Sequence, residues 1–425
     1  MVPAKASPAK PYLLHQSKAV NKIPFGRVRL SHVLVPFEPS AQGVVAKAFR
    51  RKVMSSKGFR RRVERLLNYA DVAINGDRPW DLQVKHPDFF RRVLAQGSLG
   101  FGEAYMDGWW DAESPDQLLT RLIRAEINRK IKSMVVVYDA LRAKLLNRQN
   151  HRRAFVVGEK HYDIGNDIFE KMLDSRMIYS CGYWKEADNL DQAQTHKLEL
   201  TCRKLQLEPG QKVLDIGCGW GGTARFMAEA YGVEVVGITV SQAQAELARK
   251  HCAGLPVEIL LKDYRDLEGR FDRVVSIGMF EHVGPKNYRT YFRKVAELLK
   301  EDGVFLLHTI GGNTPSVKTD PWIERYIFPN GVIPSAQQIT AAYEGCFVLE
   351  DWHNFGTHYD KTLMAWQENF AKAWPELKQS YDERFRRMWN YYLTSCAASF
   401  RARDNQLWQV VLSKNGIVGG WDVRY

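Results

Sequence analysis

A chain of 425 residues, 45% hydrophobic and 26% charged, is too apolar to be disordered throughout and too long for one ordinary core, so two domains are expected. No apolar run reaches bilayer-spanning length and the first residues carry no apolar signal core, which points to a cytoplasmic protein. The net charge of +13 sits in residues 1–65, where fifteen Lys and Arg face only Glu38 and Glu64, so a basic arm that seeks a polyanion precedes a neutral body.

Residues 1–40 are rich in Pro, Ala, Ser and Lys without periodicity and are expected to be disordered. From Val44 onward Phe49, Val53, Phe59, Val63, Leu66 and Leu67 recur at helical spacing, with Arg50, Arg51, Lys52, Arg60, Arg61 and Arg62 between them. This predicts one or two basic amphipathic helices, interrupted near Ser55 to Gly58, whose apolar side chains insert shallowly into a membrane. The competing reading is a charged face packed on the next domain. Residues 66–145 read as a small, mainly helical domain with Phe89, Phe90, Phe101, Tyr105, Trp109 and Trp110 as its aromatic core. A polar, basic stretch over 146–158 reads as a linker, and 159–425 as the catalytic domain. The six cysteines lack C-x-x-C spacing, which argues against both a metal site and a disulfide framework.

Beyond the linker, strands are predicted near 213–216, 233–238, 257–261, 271–277 and 303–310 with helices between, then near 347–352 and 407–412. Such alternation implies an α/β fold with a parallel, doubly wound sheet, whose ligand sits at the carboxyl ends of the strands. The first strand runs into Lys212-Val-Leu-Asp-Ile-Gly-Cys-Gly-Trp-Gly-Gly222. Gly217 and Gly219 let backbone approach a ligand, and Asp215 offers a carboxylate for hydrogen bonds or a cation. The turn has neither the lysine of a P-loop nor the glycine spacing of a dinucleotide fingerprint, and it resembles motif I of S-adenosylmethionine-dependent methyltransferases. At the next strand ends stand Thr239 and Gln244, neutral groups suited to ribose hydroxyls, and Asp263, suited to an adenine amino group. Glu281 follows the fourth strand and His308 lies in the fifth, so the two are expected to meet over the cofactor.

The blocks His161-Tyr-Asp-Ile-Gly-Asn-Asp167, Tyr179-Ser-Cys-Gly-Tyr-Trp184, Gly278-Met-Phe-Glu-His-Val-Gly284, Leu307-His-Thr-Ile310, Tyr326-Ile-Phe-Pro-Asn-Gly331, His358-Tyr-Asp-Lys-Thr-Leu363 and Cys396 to Trp408, in that order around the glycine loop, resemble the cyclopropane-fatty-acyl-phospholipid synthases, relatives of the mycolic acid cyclopropane synthases. The resemblance covers about residues 66–412 and leaves the first sixty or so outside the family pattern. It implies a class I, Rossmann-like methyltransferase domain preceded by a small helical domain. The implied reaction adds a methyl from S-adenosylmethionine to the cis double bond of an unsaturated acyl chain in a membrane phospholipid. The resulting carbocation loses a proton to bound bicarbonate and closes to a cyclopropane. Site residues implied for the cofactor are Tyr162, Tyr179, Ser180, Asp215, Gly217, Gly219, Thr239 and Gln244. Those implied for the bicarbonate cage are Cys181, Glu281, His308, Ile310 and Tyr359. Cys396 matches a family cysteine near the active site, read here as packing because direct methyl transfer needs no nucleophile. The excursion Asn313 to Pro334 reads as a wall of the acyl pocket. A homodimer is left open, and the basic arm is assigned to an anionic membrane surface, which makes the enzyme peripheral to the inner membrane face. A fatty-acyl C-methyltransferase making branched chains is the nearest alternative. An RNA methyltransferase is the distant one, since only the arm suggests nucleic acid and the neutral body shows no basic groove.

Overall fold

Val213 to Ile216 and Val235 to Thr239 are buried on both faces, the pattern of strands covered by helices on either side of a sheet. The computed structural model describes residues 56–130 and 165–422, all within one unit, Met54–Tyr425. The arm before residue 56, the linker expected at 146–158 and Tyr162 lie outside the described residues.

The first segment contains α1 (Ser56–Asn68), β1 (Gln83–Val84), α2 (Phe89–Gln96), α3 (Ser98–Met106), β2 (Trp110–Asp111), α4 (Pro115–Arg124) and α5 (Ile127–Lys130). The second begins with α6 (Asn166–Met172), α7 (Leu190–Leu205), β3 (Lys212–Ile216), α8 (Gly222–Tyr231), β4 (Glu234–Thr239), α9 (Gln242–His251), β5 (Val257–Leu261), β6 (Phe271–Ile277) and α10 (Tyr288–Leu298). It ends with β7 (Leu299–Gly312), α11 (Pro321–Tyr326), α12 (Ala336–Tyr343), β8 (Val348–Asn354), α13 (Thr357–Leu377), α14 (Glu383–Arg401) and β9 (Asn405–Ser413).

Seven strands form one sheet in the order β5-β4-β3-β6-β7-β9-β8. The first five pair in parallel, and the order reverses beside β3, which opens a crevice at its carboxyl end. The last two strands depart from the expected parallel sheet, because β9 runs antiparallel to both neighbours. The cause is α13 and α14: two packed helices joined by a short turn carry the chain out and back, so β9 starts at the end of the sheet where β8 stops. β7 also begins earlier than expected, at Leu299, pairing with Phe271 across a register shift.

Helices α3 and α4 pack on α14, so the N-terminal helices and the methyltransferase layer share one aromatic cluster. Tyr391 of α14 stands with its ring 5.7 Å from Tyr105 and 6.4 Å from Trp110. Gly102 has no room for a side chain, since a Cβ there would lie 2.5 Å from the Trp322 ring, and α3 can therefore rest against that indole. Arg387 fastens the same contact, donating to the Trp110 carbonyl at 2.9 Å and to Asp111 at 2.6 Å. Arg401 does so at the other end, between Asp116 and Asp360.

The structure changes the reading of residues 56–68. Val63 and Leu67 are each 4% exposed and belong to the core, and Phe59 packs against it, so these side chains do not insert into a membrane. The proposed end of the arm at residue 65 falls inside α1, whose Arg60, Arg61, Arg62 and Arg65 face outward. Periodicity showed the apolar stripe but not what covers it.

Replacing Arg387 with Met strips the Trp110 carbonyl and Asp111 of a charged donor at a half-buried site. Urea unfolding should show a loss of about 2–3 kcal/mol, and an unchanged midpoint would mean that the helical layer is held by apolar packing alone.

Candidate active site

A cavity of about 1070 Å³ opens at the carboxyl ends of β3, β4 and β6 and extends past α14 to α1, α2 and α4. Its first part is the glycine turn. Gly217 and Gly219 adopt left-handed backbone, φ 87° and 55°, which turns the chain so that the Gly217 and Cys218 amides donate back to Ile238 O at 2.9 and 3.0 Å. A Cβ on Gly219 would meet no protein atom within 4 Å, because that face is open to the cavity. Asp215 is 1% exposed, its Oδ2 has no partner among the described residues, and burial lifts its carboxyl to about 7 against the opposing pull of Lys197.

The other expected cofactor residues gather there. Thr239 donates to Gln244 Oε1 at 3.0 Å, and both line the cavity. Ser180 is held from behind by α7: Lys197 Nζ donates to its hydroxyl at 3.2 Å and Gln194 to its carbonyl at 2.8 Å. The Tyr179 hydroxyl lies 2.7 Å from that of Tyr392. Asp263 lines the cavity, but Arg265 takes both of its oxygens, at 2.8 and 2.9 Å. Each oxygen keeps a further lone pair, so the pairing with Arg265 leaves the carboxylate able to accept from an adenine amino group.

Glu281, Ile310, Tyr359 and Cys396 line the same cavity, whereas His308 and Cys181 are not among its lining residues. The Ile310 amide donates to Glu281 Oε1 at 2.7 Å, so the expected donor is already used, while Glu281 Oε2 is buried without a partner among the described residues. Burial raises the Glu281 carboxyl above its usual range. His308 is 1% exposed, and burial, followed by the charges of Lys197 and Lys204, holds its pKa well below the usual value, so the ring is neutral. Tyr359 stacks on Phe400 at 4.7 Å, and burial pushes its phenol well upward. Cys181 is fully buried and its thiol donates to Gly182 O at 3.2 Å. Burial pushes the Cys396 thiol up to about 12, so it carries no thiolate near neutrality.

Sequence reading passed over a polar column behind this site. Gln194, Lys197, Thr201 and Lys204 recur every three or four residues along α7, and each is 0% exposed. Such a stripe reads as a solvated face; here it is turned against the sheet, where Lys204 meets Asp351 at 2.9 Å and Thr201 meets Gln409 at 3.1 Å. His282, beside Glu281, was missed as well; it lines the cavity and burial lowers it to about 4.

Residues 149–410 match the family described as Mycolic acid cyclopropane synthetase. The chain belongs to that family. Over 358 residues it is 56% identical to the cyclopropane-fatty-acyl-phospholipid synthase of Escherichia coli, an alignment that covers 84% of this chain and 93% of the relative. It is 32% identical over 381 residues to the tuberculostearic acid methyltransferase of Mycobacterium tuberculosis, covering 82% and 88% of the two chains. Among solved structures, the mycolic acid cyclopropane synthase CmaA1 complexed with SAH and CTAB is similar at 34% identity and a TM-score of 0.57, over 61% of this chain and 98% of that one. A class I methyltransferase fold and an S-adenosylmethionine-dependent enzyme follow from that membership. The cavity suits such a cofactor, for a partnerless buried carboxylate oxygen and a glycine face open to ligand lie side by side at the end of β3.

Asp215→Leu should weaken S-adenosylhomocysteine binding by about 10- to 100-fold, the value of a hydrogen bond to a charged group, as read by calorimetry. The same change should alter the pH dependence of stability. The folded carboxyl titrates near 7 and the unfolded one near 3.8. Between those values the folded state holds a proton that the unfolded state has released, so stability falls as pH rises. Thermal melts from pH 4 to 7 should slope less in the variant than in the parent.

Proposed function

We propose that this chain methylates the cis double bond of an unsaturated acyl chain in a membrane phospholipid and closes it to a cyclopropane. The observation that carries the reading is the continuity of one cavity from the glycine turn, past Glu281 and Tyr359, to the apolar residues Phe328, Val332 and Ile333 of the excursion after β7. The phospholipid substrate follows the named activity of the Escherichia coli relative.

An alkene is a poor nucleophile, so the site must be dry and free of competitors. S-adenosylmethionine, when bound, supplies an electrophilic methyl group. Asp215, the Gly217 to Gly219 turn, Ser180, Tyr179, Thr239 and Gln244 hold it. Cys396 stays a neutral thiol and packs against the pocket, offering no thiolate to a cation on the acyl chain. Bicarbonate, when bound, would take the proton lost on ring closure. The partnerless Glu281 Oε2 accepts a hydrogen bond from an acid O–H, and His308 and Tyr359 are donors. Cys181 packs behind them, and the Ile310 amide fixes Glu281 rather than serving the anion itself.

The membrane is approached from its surface; no helix among the described residues is long and apolar enough to cross it. One face of α1 borders the cavity through Val63, Leu66 and Leu67, and the other exposes Arg60, Arg61, Arg62 and Arg65. An anionic bilayer meeting that outer face brings its acyl chains to the lip of the cavity, and each basic residue near the surface adds about 1 kcal/mol. A second reading, methylation to a branched chain without ring closure, is favoured by the tuberculostearic acid methyltransferase relative. Incubation with unsaturated phospholipid vesicles and methyl-labelled cofactor separates the two by proton NMR of the product. The ring shows upfield cyclopropyl protons, whereas proton loss without closure leaves an isomeric branched alkene with vinylic protons. A saturated branched chain, two hydrogens heavier, forms only when a hydride donor is added.

Glu281→Gln should bind S-adenosylhomocysteine as the parent does but form ring about 100-fold more slowly. Carbonate-free buffer should slow the parent and added bicarbonate should restore it; a full rate without bicarbonate removes that base from the scheme.

A variant lacking residues 1–55 keeps α1 intact and should retain cofactor affinity. Co-sedimentation with phosphatidylglycerol vesicles should show binding reduced relative to the full chain at low salt, with the difference vanishing at high salt. Equal binding by both proteins would assign the arm to another partner.

A further inference from the structure

His308 on β7 stands directly opposite Gln409 on β9 in the antiparallel ladder, and both side chains are buried, at 1% and 0% exposure. Gln409 Nε2 lies 3.1 Å from Thr201 Oγ1 and 3.4 Å from His308 Nδ1. Thr201 in turn donates its only hydroxyl hydrogen to the Lys197 carbonyl at 2.8 Å, one turn back along α7. These three contacts fix where each hydrogen lies.

With its hydrogen spent on Lys197 O, the Thr201 oxygen can only accept. The end of the Gln409 amide that faces it must therefore be the NH2 end, since the flipped amide would set two acceptors against each other. An amide nitrogen has two hydrogens and no available lone pair, so its second hydrogen points at His308 and Nδ1 must be the acceptor. A ring protonated at Nδ1 would press N–H against N–H. The neutral imidazole has one proton to place, and only Nε2 remains. Nε2 is buried and has no partner among the described residues. An imidazolium is opposed by burial and by Lys197 and Lys204 on the helix behind.

We propose that Gln409, oriented by Thr201, is a positioning residue that locks His308 in the Nε2–H tautomer. The ring then presents a hydrogen-bond donor rather than an acceptor at its far edge. Its use toward an anion beside Glu281 rests on the reading given under Proposed function; the lock itself does not. Thr201 and Gln409 touch neither cofactor nor substrate, and both act through His308 alone.

Nitrogen NMR of the full chain labelled in its histidines tests the lock, with the His308 signals assigned by their loss in His308→Asn. The expected spectrum shows a protonated Nε2 and a bare Nδ1, and a protonated Nδ1 in the parent overturns the proposal without recourse to any variant. Gln409→Glu keeps the length of the side chain but offers an acceptor, so the proton should move to Nδ1 and ring formation should fall about 10- to 100-fold, with S-adenosylhomocysteine affinity unchanged. Thr201→Ser should keep the parental spectrum and rate, whereas Thr201→Val should lose the single tautomer. A Gln409→Glu enzyme that retains Nε2–H and the parental rate also overturns the lock. A parent that shows Nε2–H but no response to bicarbonate supports the lock and refutes only the anion reading.

Discussion

The hydrogen bond from the Ile310 amide to Glu281, 2.7 Å long, joins the loop after β6 to the end of β7, and both residues line the cavity. A buried carboxyl would otherwise be costly, because desolvation disfavours its charge. One oxygen is satisfied by backbone, the other has no partner among the described residues, and burial keeps three other groups of this region neutral. Tyr359 keeps its phenol proton, Cys396 keeps its thiol proton and His308 is uncharged. The same desolvation that costs stability keeps the Cys396 thiolate and the Tyr359 phenolate from forming, which a reaction through a carbocation favours.

Closing such a site requires cover as well as a floor. The cover is the N-terminal helical layer, and it is seated by shape and by charge together. Gly102 rests on Trp322, while Glu103, 8% exposed, receives Arg92 at 2.8 Å and the Tyr326 hydroxyl at 2.9 Å. Trp322 and Tyr326 belong to the excursion after β7, so one short helix serves both as cavity wall and as the seat of the cover.

Much of this was legible in the sequence because apolar runs that end in glycine or in a polar cluster mark strand ends, and this fold keeps its chemistry at strand ends. Asp215 and Glu281, which line the cavity, were placed at strand ends in that way. What stayed hidden had physical causes. The direction of β9 depends on the number of helices that precede it, which alternation does not reveal. The start of β7 was masked by Lys300, Glu301 and Asp302, which read as a turn and lie in the register shift between the Leu299 and Val304 pairings. The ion pair of Asp263 with Arg265 was not legible, because a neighbour two residues away folds back only in a particular loop geometry. Val63 was assigned to a membrane because amphipathic spacing is the same whether lipid or protein covers the stripe.

The column on α7 explains why polar groups were placed where apolar ones would pack more cheaply. Two lysines fully buried on one helix carry a desolvation cost that drags both amines down to about 8, and a pair such as Lys204 with Asp351 often contributes no more stability than an apolar replacement. Specification of hydrogen positions is what apolar residues cannot supply. Lys197 orients the Ser180 hydroxyl on the cofactor side, and its own carbonyl takes the Thr201 hydrogen on the His308 side. A single residue thereby meets both the Ser180 hydroxyl that lines the cavity and the Thr201 hydroxyl behind His308. Stability spent on α7 is recovered as order in the two places where a proton or a charge must be held in one position.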